Sequence, residues 1–202
     1  MKKIITIIVC LLLANNYSCF AHSAKIGRFE CISGTRMSVY ACGASPTQWD
    51  YIYIDSPWIT PFFIERSNIN DFLNYTKKAI TTYTEWTSMV AETGSVQNYH
   101  KHIDYNKDIM VMYYSGYGNY NLERKHKESK TYKISYDFFV NGAGVSLLEC
   151  NVFTTYNHLS FYLDSLGMYD FIYILEHATE RYLANPNVKT ESAIHKLLNL
   201  NR

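Results

Sequence analysis

The chain has 202 residues, with 19 Lys and Arg against 18 Asp and Glu and a formal charge of +1. So even a balance gives no electrostatic ground for a nucleic-acid partner, which calls for a marked basic excess. The length suits one domain able to bury a core without metal or many disulfides, and no Pro/Ser/Gly tract or block of like charge marks a linker.

Lys2 and Lys3 precede an apolar run, Ile4 to Ala14, interrupted only by Thr6 and followed by a polar stretch and small residues at Cys19 and Ala21. A short positive start, a brief apolar stretch and a small-residue site form the layout of a secretory signal peptide, and the run is short for a membrane span. The expectation is export to the periplasm or beyond the cell. The signal peptide occupies residues 1–21, and the mature chain has no transmembrane segment. A lipoprotein anchored through Cys19 and an N-terminal anchor that stays in place are the alternatives. Two of the 19 basic residues lie in this segment, so 17 remain against 18 acidic ones and the remainder is close to neutral.

Beyond Ala21 the cysteines are Cys31, Cys42 and Cys150, an odd number. An exported chain is expected to oxidise one pair. Three pairings are open, and Cys31 with Cys42, which closes the shortest loop, is the expected disulfide. Cys150 then falls on the apolar face of a strand.

Residues 22–48 read as an irregular, disulfide-tethered lead-in to a single domain over 49–202. Trp49 to Asp55 alternates and is rich in β-formers, so it predicts a strand. Phe62 to Glu65 reads as a short edge piece. From Ile69 onward, Phe72, Leu73, Thr76, Ala79, Ile80, Tyr83, Trp86 and Val90 recur at three- and four-residue steps, which predicts a long amphipathic helix. Asn68 is its expected N-cap and Gly94 its stop. Asp108 to Tyr114 is a β-rich run. Lys130 to Val140 and the run from Val145 alternate on either side of Asn141-Gly142, a hairpin signal, and His158 to Asp164 adds a further strand. Ser165 is the expected cap of a helix that Pro186 ends, and a last short helix follows Thr190. The fold class expected is α+β: a four- to five-stranded, mainly antiparallel sheet packed by the long helix and by C-terminal helices.

No Gly-x-Ser-x-Gly, His-Glu-x-x-His, phosphate-binding glycine loop or Cys-x-x-Cys occurs, so no catalytic residue and no cofactor is assigned. His100 and His102 stand at alternate positions and point to one side of an extended segment. They are weak candidates for a metal, because no further ligand is identifiable, and a solvated loop is the simpler reading. The other candidate is the long connection after Tyr114. There Tyr117, Asn119 and Tyr120 combine ring faces with hydrogen-bonding groups, and Arg124, Lys125 and Lys127 add positive charge. The leading expectation is a non-catalytic binding module for a protein partner, as an inhibitor, immunity-type protein or surface accessory, with carbohydrate as a second ligand class. A hydrolase with a spatially assembled or metal-assisted site, or a structural envelope component, are the alternatives.

Overall fold

The computed structural model describes residues 22–186 apart from 33, 57, 58, 95, 115–121 and 154–157. Residues 1–21, expected to be a signal peptide, with Cys19 among them, the loop bearing Tyr117, Asn119 and Tyr120, and the helix expected after Thr190 lie outside the described residues.

Among the described residues, nine strands form one antiparallel sheet. They are β1 (His22–Glu30), β2 (Arg36–Gly43), β3 (Tyr51–Ser56), β4 (Ile59–Glu65), β5 (Tyr99–His102), β6 (Ile109–Tyr113), β7 (Lys130–Val140), β8 (Ser146–Phe153) and β9 (His158–Leu163). The helices are α1 (Ile69–Thr93), α2 (Leu122–Glu128), α3 (Ser165–Glu176) and α4 (Ala178–Ala184). The α+β class is as expected, but the sheet is about twice the expected size. Neighbours run β1-β2-β3-β4-β6-β7-β8-β9, and β5 pairs with β7 beside β6.

Two corrections account for most of the added strands. Residues 22–48 are not an irregular lead-in: β1 and β2 form a hairpin, and β2 continues the sheet into β3. The polar residues and Gly27 in this stretch disguise an alternation in which Ala24, Ile26, Phe29, Met37, Val39 and Ala41 are all buried. β4, read as an edge piece, lies inside the sheet between β3 and β6.

The hairpin also rules out the expected Cys31–Cys42 disulfide, and no bond joins Cys31, Cys42 or Cys150. Cys31 follows the last residue pair at the hairpin's turn, Glu30 with Arg36, whereas Cys42 pairs with Ser23 at its open end. Six residues of strand separate Arg36 from Cys42, about 20 Å at the rise of an extended chain. Cys31 also packs in the main core, while Cys42 joins Tyr53 and Phe63 on the other face. Sequence distance was short, but an extended hairpin puts its ends far apart.

One face of the sheet, with α1, α3 and α4, encloses the core. Along α1 the buried positions are the expected stripe from Ile69 to Tyr83 with Tyr75 added, while Trp86 and Val90 at its far end are only partly buried. Gly94 ends the helix at φ 72°, a left-handed conformation that glycine adopts without penalty. α3 is capped by Asp164, not Ser165: its carboxylate accepts from the Gly167 amide at 2.8 Å. The sheet curls enough for its ends to approach. The Ile32 amide donates to the Tyr162 carbonyl at 3.1 Å, and the rings of Phe29 and Phe161 lie 6.4 Å apart.

The other face is covered differently along its width. Over β3 and β4, α2 lays the His126 ring against Tyr51 and Phe63, at 4.3 and 5.1 Å between centroids. Over β5, β7, β8 and β9 the same face carries polar groups.

Candidate metal centre

β7 is buried along most of its second half, from Ile134 to Val140. Ile134, Tyr136, Phe138 and Val140 point into the core, so period-two alternation sends Ser135, Asp137 and Phe139 to the outer face. The pairing of β7 with β5 and β6 shifts along its length. β6 pairs with residues 130 to 134 and β5 with 137 to 140, leaving Tyr136 at the changeover. Tyr75 of α1 fills that gap: its hydroxyl donates to the Ile103 carbonyl at 2.9 Å and accepts from the Tyr136 amide at 3.1 Å. Burial pushes the Tyr75 phenol up to about 12, so it remains a neutral donor. The Tyr136 hydroxyl meets Thr76 at 2.8 Å, which makes a second tie from α1 to the same point of β7. These contacts fix β5 in register on β7.

That register aligns four outward side chains in one row. His102 lies opposite Asp137, Asp137 opposite Glu149, and Glu149 opposite Tyr162. His100 stands two residues before His102 on the same side, as the sequence spacing implied. The segment is a strand rather than a loop, with both rings about half exposed above buried carboxylates. His102 Nδ1 is 2.8 Å from Asp137 Oδ1. His100 Nε2 is 4.0 Å from the same Oδ1 and 3.7 Å from Glu149 Oε2. The second oxygen of Asp137 accepts from Asn151 Nδ2 at 2.6 Å, and Asn151 Oδ1 accepts from Ser160 at 2.6 Å. The Tyr162 hydroxyl bonds Glu149; its phenol is raised first by burial and then by that bond and charge.

The electrostatics of the row are unusual. Like charges directly opposite on neighbouring strands destabilise a sheet, and withdrawing them from water removes the screening that would soften the repulsion. Asp137 is 4% exposed and Glu149 8%. Among the described residues, the basic groups within 4.0 Å of these carboxylates are imidazoles, which carry charge only when protonated, and none is Lys or Arg. The pair therefore calls for positive charge at the mouth of the row.

One donor atom each from His100, Asp137 and Glu149 lies within 4.8 Å of the others. A four-coordinate zinc ion with bonds of about 2.0–2.2 Å holds its donors about 3.3–3.6 Å apart. The separations of 3.7 and 4.0 Å from His100 are a few tenths of an ångström long, and the two carboxylates lie within 4.8 Å of each other, so closing the site takes movement of the half-exposed His100 ring together with an adjustment of the carboxylates. His102, Asn151 and Ser160 would act as the outer partners that orient the Asp137 carboxylate.

The histidines were legible in the sequence, but their acidic partners were missed. Asp137 and Glu149 lie 35 and 47 residues downstream of His102, and only the pairing of β5, β7 and β8 unites them. A signal did exist: acidic residues are depleted from strands, yet Asp137 stands between Tyr136 and Phe138 and Glu149 between Leu148 and Cys150.

The other candidate residues are placed elsewhere. Arg124 pairs with Glu128 at 2.7 Å and Lys127 with Glu123 at 2.9 Å, each one helical turn apart on α2, so part of that positive patch is neutralised locally. Lys125 is on the same helix, half-buried. Cys150 is fully buried beside Tyr136, and burial raises its thiol well above the ordinary range, which leaves it inert as a nucleophile. No helix among the described residues is long and apolar enough to cross a membrane. Comparison with family models, curated proteins and solved structures finds no match, so the site's own geometry is the ground for a functional reading.

Proposed function

We propose that this protein is an exported, non-catalytic binding module whose outer sheet face holds a divalent transition-metal ion of the zinc class through His100, Asp137 and Glu149. The observation that carries the reading is the buried, like-charged pair Asp137 and Glu149 with imidazoles as the only basic groups within 4.0 Å among the described residues. One nitrogen and two oxygen donors suit zinc and its neighbours. Calcium prefers six to eight oxygens, and magnesium usually keeps several waters with carboxylates.

A hydrolytic use of the same ion is the second reading, and two features favour it. Three protein ligands leave a coordination position for water. The His102 ring, with Nδ1 turned to Asp137, has its other nitrogen left to take a proton.

Elemental analysis and calorimetry on chain equilibrated with zinc should find one ion per molecule. At free zinc one hundred times Kd the folded state gains about 2.7 kcal/mol, which raises Tm by about 5–11 °C for a chain of this size. The double variant His100→Ala, Glu149→Gln should lose both the ion and the Tm shift while keeping its circular dichroism. His102→Ala should weaken binding about 10–100-fold, as outer partners of metal ligands do. A chain that stays metal-free in excess zinc, or a double variant that binds as well as the parent, refutes the proposal.

A further inference from the structure

A second feature of β5 lies on its opposite side. His100 and His102 face outward, so Tyr99 and Lys101 face the helix layer. There the C-terminal half of α1 diverges from the sheet. The last deeply buried residue of α1 is Tyr83; Trp86 and Val90 are only partly buried, and Met89 is 62% exposed. The divergence opens a groove of about 280 Å³ lined by Trp86, Val90, Val96, Tyr99, Phe138 and Lys101, among others.

Its walls are aromatic and ordered against one another. Phe138 forms the floor, with the Trp86 ring edge-on to it at 5.6 Å and Tyr99 at 6.4 Å. The volume is at the lower end of small-molecule pockets, which run roughly from 300 to 1,000 Å³. That is too short for a helical partner, which would need several turns of groove.

One charge borders this apolar surface, and it is positive: Lys101 lines the groove with no carboxylate among the lining residues. Its Nζ sits 4.2 Å from the centre of the Trp86 ring. Among the described residues, Lys101 makes no ion pair within 4.0 Å. A cation over a partly exposed ring is held more weakly than by a charge-assisted hydrogen bond to an anion. The ammonium is thus held at the mouth by a contact that a carboxylate can outbid.

We infer that the groove between α1 and β5 is a binding site for a small amphipathic carboxylate, an apolar chain or ring bearing one acidic group. The apolar body lies on Phe138 and Trp86, between Val90 and Val96, and the carboxylate meets Lys101. This site stands apart from the proposed metal centre, because alternate residues of β5 serve the two faces.

The test is a calorimetric and methyl-NMR titration of the purified chain with octanoate, 3-phenylpropionate, 1-octanol and octyltrimethylammonium. At least one acid should bind one-to-one at millimolar concentration or below and shift the Val90 and Val96 methyl signals. That acid should bind about tenfold more tightly than the alcohol, and the cation should not bind. Preference for octanoate assigns the site to aliphatic acids, and preference for 3-phenylpropionate to aryl acids. Lys101→Met, which keeps the apolar stem, should weaken the acid about tenfold without altering the alcohol, and Lys101→Arg should restore much of the loss. Absence of methyl shifts with both acids overturns the inference, as does equal affinity for acid and alcohol or an unchanged affinity in Lys101→Met.

Discussion

His126 shows how one side chain can tie local structure to solution behaviour. Its imidazole sits on the outer sheet face against Tyr51 and Phe63, and burial lowers its affinity for a proton, although Glu65 pulls the other way. Because the folded-state pKa is lowered, the unfolded chain binds the proton more readily in the interval between the folded and unfolded values. Stability therefore rises with pH across that interval, is fully present above the unfolded value of about 6.5, and is lost as pH falls through the folded one. Urea unfolding of the parent and of His126→Phe, followed from pH 7.5 to 4.5, should show a steeper acid loss in the parent. Parallel curves would mean that His126 is not held in its neutral form.

At the scale of elements, the junction of β9 with α3 is tightly constrained. Asp164 caps α3 through the Gly167 amide, and a Cβ on Gly167 would lie 2.3 Å from the Glu30 backbone carbonyl oxygen. The helix start is thus pressed on the end of β1, at the place where the two ends of the sheet approach. Asp164→Ala should cost about 1 kcal/mol, an ordinary capping loss. Gly167→Ala should cost more, because backbone rather than a side-chain tip has to move. Urea midpoints of the two variants decide this, and equal losses would show that the contact relaxes freely. The sequence placed this helix but chose Ser165 as its cap, since Ser and Asp are both good caps; the geometry selects the residue whose carboxylate reaches the Gly167 amide.

For the whole molecule, stability comes from one large core enclosed by a curled sheet and its helices, without covalent staples among Cys31, Cys42 and Cys150. Dithiothreitol should leave the urea midpoint of the chain from His22 onward unchanged within error. A fall of about 2 kcal/mol or more, the typical worth of a native disulfide, would contradict the arrangement described. The size of the sheet was under-read for a related reason. β1 and most of β2 intersperse their buried residues with exposed or half-buried ones, Lys25, Arg28 and Arg36 among them, so their composition resembles a loop until the neighbouring strands are in place.

By itself the sequence determined the elements whose signal is local: the stripe of α1, its stop at Gly94, the hairpin of β7 and β8 around Asn141-Gly142, and the common side of His100 and His102. Each depends on periodicity or on a residue's backbone preference, and both can be read over a few positions. The tertiary structure decided which strands lie side by side, and so everything that depends on distance across the sheet. It separated Cys31 from Cys42, made β4 interior, opened the groove beside Lys101, and set Asp137 and Glu149 beneath two histidines. The reason is that pairing register is fixed by burial of a whole face and by ties such as Tyr75 to Tyr136, sums over residues far apart in the chain.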